Sequence, residues 1–200
     1  MNAPAQLPPF KLPKRAVLAP VEIWGDAQID DQHRWWLRRW WSAGPYVCWI
    51  MLNPSTADAS RNDPTLHEVI RFTRLWGFGG LVVVNLYPFI SSSPAACRRW
   101  AKWGAPGRGP DWYVRDRLWK NEDVIAREAR AADLVVAAWG AGAWDGDWVN
   151  HVIETVQSEA PFPALHCLGK TASGAPKHPL ARGIHRVPRD QSPIIWRKAA

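Results

Sequence analysis

Apolar residues along this chain fall into two patterns. The first is short solid runs: "YVCWIML" (46–52), "LVVVNLYPF" (81–89), "DLVVAAWGAGAW" (133–144) and "ALHCLG" (164–169). Apolar runs of this length suit buried strands, and the β-branched "LVVVNLYPF" suits one buried on both faces. The second is helical spacing. In "TLHEVIRFTRLW" (65–76) apolar positions at Leu66, Val69, Ile70, Leu75 and Trp76 come close to it. Asp63 stands where a helix cap belongs, Pro64 fits the first turn, and Gly77, Gly79 and Gly80 supply a stop. Residues 121–132 and 147–158 read as two further helices. An earlier segment, "RWWLRRWW" (34–41), reads as a strand joined to 46–52 through the turn "SAGP", which predicts a hairpin. Strict alternation fails there at Trp35-Trp36 and Trp40-Trp41, so one Trp of each doublet is expected to face away from the core side.

Strands and helices that alternate in this way predict a three-layer α/β/α sandwich with a central, mostly parallel sheet and an N-terminal β-hairpin. Residues 1–20, rich in Pro and Ala, read as an extended arm, and 21–200 as a single domain. The polar, basic segment 91–119 reads as a long connection. In sheets of this kind ligands sit beyond the carboxyl ends of the strands. Four junctions should therefore converge: Asn53-Pro54-Ser55, Asn85-Leu86-Tyr87, Trp139-Gly140-Ala141, and the loop to Lys177-His178-Pro179.

Composition changes this picture in two respects. The chain of 200 residues carries a net charge of +7 and 15 tryptophans. Positive charge with aromatics points to an anionic partner, nucleic acid first, although a merely solvated basic surface explains the charge alone. The three cysteines (Cys48, Cys97, Cys167) have no paired spacing, which argues against structural zinc and against a disulfide scaffold. No run reaches the length of a membrane span and the N-terminus lacks a signal-type apolar stretch. A cytoplasmic monomer with no membrane partner is expected.

The chemistry at the four junctions is two amides, an imidazole, an indole and several glycines. There is no Walker loop, no Gly-x-Ser-x-Gly elbow, no carboxylate pair at glycosidase spacing and no metal-binding His pair. "GFGG" (77–80) precedes a strand instead of opening a helix, so it is no dinucleotide fingerprint. Buried amides suit recognition of a planar heterocycle, and a His can stabilise charge that develops on it.

These motifs resemble those of the uracil-DNA glycosylase superfamily. Met51-Leu52-Asn53-Pro54-Ser55 is similar to its water-activating motif. Val82-Val83-Val84-Asn85 is similar to the strand whose final Asn meets the base. Ala138-Trp139-Gly140 and His178-Pro179-Leu180 follow in the same order. The chain also resembles a family of uncharacterised bacterial and phage proteins through Leu52–Asp58, Asn62–Thr65, Val83–Leu86 and Lys177–Leu180. The resemblance implies a DNA glycosylase-like hydrolase of base flipping and of DNA repair or modification, with DNA favoured over RNA and no metal or organic cofactor. It implies catalytic roles for Asn53 and His178, and Asp58, the carboxylate near Asn53 in sequence, is expected to assist the water. Asn85, Ser55, Tyr87 and Trp139 would bind the base. Leu180, Arg182, Arg98, Arg99 and Lys177 would contact nucleic acid. Ser55 stands where the glycosylases usually have Gly, and the His motif lacks their serine-proline pair.

Plainer readings stand beside these. Asn53 can cap a turn, Asp58 and Asp63 can be caps, His178 can be a surface residue, and Trp139 can be packing. His67, His151 and His166 lie within predicted elements and read as structural. Arg98, Arg99, Lys102, Arg108, Arg115 and Arg117 can simply solvate a long connection. With Trp100, Trp103, Trp112 and Tyr113 among them, that segment is the best candidate for a backbone-contacting, base-stacking surface. Two other functions remain open: a base- or nucleotide-modification or defence enzyme on the same fold, and a non-catalytic nucleic-acid-binding module.

Overall fold

A computed structural model describes residues 18–103 and 112–199. Its strands are β1 (Trp24–Asp30), β2 (His33–Trp40), β3 (Tyr46–Met51), β4 (Gly80–Asn85), β5 (Leu134–Ala137), β6 (Leu165–Cys167) and β7 (Ile194–Arg197). The helices are α1 (Pro64–Leu75), α2 (Pro94–Trp103), α3 (Trp112–Ala131) and α4 (Gly146–Gln157). All seven strands form one sheet in the order β1-β2-β4-β3-β5-β6-β7.

The fold is α/β, as expected, but the sheet is mixed. β4, β3, β5 and β6 are parallel, whereas β1, β2 and β7 add antiparallel edges. The predicted hairpin across "SAGP" does not form, because β4 lies between β2 and β3 and pairs with both. β2 instead pairs with β1 across the turn at Asp31-Gln32. The physical reason is that β4 is buried along its whole length and needs a partner on each side. The connection 91–119 is also more regular than predicted, since it contains α2 and the start of α3. Arg108 lies outside the described residues, as does the arm 1–20 up to residue 17. Residues 18–20 have no regular structure.

Two apolar layers sit on opposite faces of the sheet. Alternation of side chains sends Val47, Trp49 and Met51 of β3 to one face with α1, and Cys48 and Ile50 to the other with α3 and α4. α1 begins where Asp63 Oδ1 accepts from Leu66 N at 2.7 Å, with Pro64 in the first turn. It ends at Gly77, whose φ of +83° favours glycine.

The first Trp doublet departs from its expected placement. Gln28 faces Trp36 while Ile29 faces Arg34, so Trp35 is a bulge residue without a ladder partner. Both Trp35 and Trp36 therefore pack into the same layer, against α3. The bulge also returns Arg34, Leu37 and Arg39 to the α1 face. In the second doublet Trp40 is exposed and Trp41 is half-buried, its indole N–H donating to Phe78 O.

Burial lowers the pKa of His33 and of His166. A folded-state pKa below the unfolded one means that the unfolded chain binds more protons in the acid window. The stability these residues contribute is thus present above the ordinary histidine pKa and is lost as pH falls below it. Denaturant unfolding at a series of pH values from 7.5 to 5 should show this decline, and His33→Phe should flatten it.

Candidate functional site

The parallel strands place the site. From β3 the chain crosses by α1 to β4 on one side, and from β5 it crosses by α4 to β6 on the other. That reversal opens a crevice at the carboxyl ends of the strands. A cavity of about 440 Å³ lies there, lined among others by Arg34, Asn53, Ser55, Asp63, Asn85, Trp139, Gly140 and His178. Residues distant in sequence thus share one enclosure, and four predicted junctions contribute to it.

Asn53 follows β3. Its Nδ2 donates to Pro54 O at 3.0 Å and Ser91 O at 2.7 Å, which uses both amide hydrogens. What it offers the cavity is an acceptor, Oδ1, suited to holding a water by one of its hydrogens. Asn85 ends β4 and is buried. Its Oδ1 accepts from Arg34 Nη2 at 3.1 Å. Since a guanidinium only donates, the orientation of this amide is fixed, and Nδ2 is the group left for a ligand.

His178 Nδ1 accepts from Leu180 N at 3.1 Å. That bond places the ring proton of the neutral form on Nε2. Burial lowers the pKa of His178, with the negative charge of Asp63 opposing it. The imidazole is therefore a neutral donor at physiological pH. Gly140 gives it room. Its φ is +76°, and a Cβ there would lie 3.3 Å from His178 Cβ. Trp139 is buried and meets Trp196 edge-on at 5.2 Å, so its role includes packing. Ser55 stands in the wall.

Two lining residues had been assigned no role in the site. Arg34, only 4 % exposed, donates from Nη1 to Ala57 O at 2.9 Å as well as to Asn85. Burial lowers its pKa to about 10, against the pull of Asp63, so it remains charged. It has no carboxylate within ion-pair distance among the described residues. Asp63, already the cap of α1, is the one carboxylate among the described residues that line the cavity. The signal for Arg34 was a cation placed directly before a Trp doublet at the start of a strand. For Asp63 it was only the cap.

Other predicted residues lie elsewhere. Asp58 does not line the cavity. Its oxygens accept from the backbone N–H of Ser60 and Arg61 and from both side chains, which holds its pKa well below the usual carboxylate range. A carboxylate so occupied is a poor base, and it closes the loop that Arg39 grips through Asp58 O, Arg61 O and Asn62 Oδ1. Tyr87 points to the opposite face, stacked on Trp144 at 4.3 Å. Leu180 and Arg182 are exposed near His178 in sequence, and Lys177 lies along Gly169. Arg98 and Arg99 are exposed on α2. Among the described residues no group of three His, Cys, Asp or Glu is arranged to hold a metal ion. No helix among them is long and apolar enough to cross a membrane.

Comparison with known proteins places the chain in a family. It belongs to the family described as "Protein of unknown function (DUF1643)", whose family model matches residues 34–180. That span contains every residue named above as lining the cavity. No curated protein and no solved structure matches the chain.

Removing the guanidinium would orphan Asn85 Oδ1 and Ala57 O in a buried setting, at about 1–3 kcal/mol each. Arg34→Met should therefore lower unfolding stability by about 2–5 kcal/mol in denaturant titrations. Asp58→Asn, by contrast, should leave any ligand affinity of the cavity unchanged. Gly140→Ala should cost about 1 kcal/mol or more and shift the imidazole resonances of His178.

Proposed function

We propose that this member of a family of unknown function recognises a nucleic-acid base and hydrolyses its N-glycosidic bond, as the resemblance to the uracil-DNA glycosylase superfamily implies. The observation that carries the reading is the convergence of Asn53, Asn85 and His178 on one cavity, from three separate junctions. A volume of about 440 Å³ is ample for a flipped base with part of its sugar.

The reaction breaks the bond between the sugar C1′ and the base nitrogen. The electron pair leaves with the base, and the sugar gains oxocarbenium character. A water oxygen then bonds to C1′ and gives up a proton. Asn53 Oδ1 would hold that water by one hydrogen. Asp63, which lines the cavity where Asp58 does not, would take the other. Asn85 Nδ2 and His178 Nε2–H would donate to the oxygens of the departing base, where negative charge accumulates. A preorganised donor of this kind contributes about 3–4 kcal/mol to the transition state. None of these steps calls for a metal or an organic cofactor. The charge of +7 suits a DNA backbone partner.

A second reading is favoured by Arg34. Because Asn85 Oδ1 is already an acceptor for that guanidinium, the amide meets a ligand chiefly as a donor. An unmodified uracil edge offers a donor as well as acceptors, so a modified base or nucleotide fits this arrangement too, on the same fold.

The test is a panel of duplex and single-stranded oligonucleotides carrying uracil, hypoxanthine or hypermodified pyrimidines, scored for abasic sites. Base release should fall by about a hundredfold or more in Asn85→Ala and in His178→Ala. It should fall in Asp63→Asn and persist in Asp58→Asn. No abasic sites with any probe would refute hydrolysis. A different product lost in the same variants would support the modification reading.

A further inference from the structure

On the other face of the sheet end, α2, the start of α3 and the N-terminus of α4 enclose a second cavity of about 700 Å³. Its floor is Tyr87, only 2 % exposed, whose hydroxyl meets no hydrogen-bond partner among the described residues. A buried hydroxyl left alone costs about 1–3 kcal/mol, so the arrangement calls for an acceptor from outside. Trp144 stacks on the Tyr87 ring, and Trp148 is held by its indole N–H to Leu86 O at 3.0 Å. Trp119 on α3 forms another wall while 64 % exposed, a large apolar ring left to solvent.

Charge is arranged around these rings. Arg98 and Lys102, one turn apart on α2, line the cavity and form no ion pair among the described residues. On the opposite rim Asp145 is occupied as the cap of α4, accepting from Trp148 N at 3.0 Å, and Asp147 stands beside it. The occupant should therefore have a flat aromatic body, an anionic group for the α2 side and an acceptor for Tyr87. The two cavities are lined by neighbouring stretches of the chain after β5. Trp139 to Gly142 line the first and Trp144 to Trp148 the second, so one short loop separates them.

We propose that the second cavity is a nucleotide subsite that takes the base and phosphate of a strand neighbour of the nucleotide entering the first cavity. This rests on the reading of the chain as a nucleic-acid binder, but not on hydrolysis. The base stacks on Trp119, its phosphate lies against Arg98 and Lys102, and the Tyr87 hydroxyl donates to a base or phosphate oxygen. Every base has a stacking face, so this subsite grips the strand without reading its sequence.

The test uses the full chain and a fluorescently labelled dT12 single strand, with thymidine monophosphate as the free-nucleotide arm. The expected result is that dT12 binds the wild type well above thymidine monophosphate. Trp119→Ala should weaken dT12 by about tenfold. The double variant Arg98→Glu with Lys102→Glu should reduce the slope of log affinity against log salt by about one unit or more. Tyr87→Phe, which leaves the ring stack intact, should weaken dT12 severalfold with no loss of melting temperature. Unchanged dT12 affinity in all these variants would overturn the proposal. So would thymidine monophosphate binding as tightly as dT12, or neither probe binding. In Asn85→Ala with His178→Ala, Trp119→Ala should still weaken dT12 by about tenfold, whether or not the wild type releases bases. Failure of the hydrolysis reading is thereby distinguishable from failure of this one.

Discussion

The Arg34 guanidinium is the constraint on which the candidate site depends. It reaches from β2 to the end of β4 and to the loop after β3, joining Asn85 and Ala57 in one buried contact. A buried cation bonded only to neutral acceptors is costly to hold. The neighbouring grip of Arg39 on the 58–62 loop keeps the same wall closed. These two arginines reach the same face because the bulge at Trp35 resets the alternation of β2. The bulge therefore does two jobs, sending a tryptophan pair into one layer and a cation under the other.

From that constraint the polarity of the cavity follows. Asn85 is turned so that its amino group is the group left for a ligand. Asn53 is turned the opposite way, its hydrogens consumed by Pro54 O and Ser91 O. His178 is fixed as a neutral Nε2–H donor by Leu180 N. The cavity wall thus carries the Asn85 amino group and the His178 ring N–H as donors, and Asn53 Oδ1 and the Asp63 carboxylate as acceptors. Two identical amides are turned in opposite senses, Asn53 by backbone carbonyls and Asn85 by a guanidinium.

Much of this was legible in the chain. The buried runs at 46–52 and 81–89 announced parallel strands, because β-branched residues without alternation fit only a sheet covered on both faces. Their terminal amides followed from the rule that ligands sit at carboxyl ends. Strand order was not legible. Whether β2 lies beside β3 or β4 depends on pairings far apart in sequence, and "SAGP" satisfied a turn without forming a hairpin. The start of α3 was hidden because its exposed face mixes Trp with Arg, which reads as a polar connection. Asp63 was visible as a cap, and its place in the cavity wall emerged only once α1 had been placed. Asp58 showed the reverse, since proximity in sequence to Asn53 gave it a role that its own hydrogen bonds already preclude.

The central claim is that Asn53, Asn85 and His178 act on one bound heterocycle. The most direct measurement is a side-chain NMR titration of the full chain with free nucleobases and nucleosides, following both carboxamides and the His178 ring nitrogens. All three sets of signals should move together and saturate with a single dissociation constant, with His178 remaining the neutral Nε2–H tautomer. Signals that stay still with every ligand, or that saturate with unrelated constants, would contradict that claim.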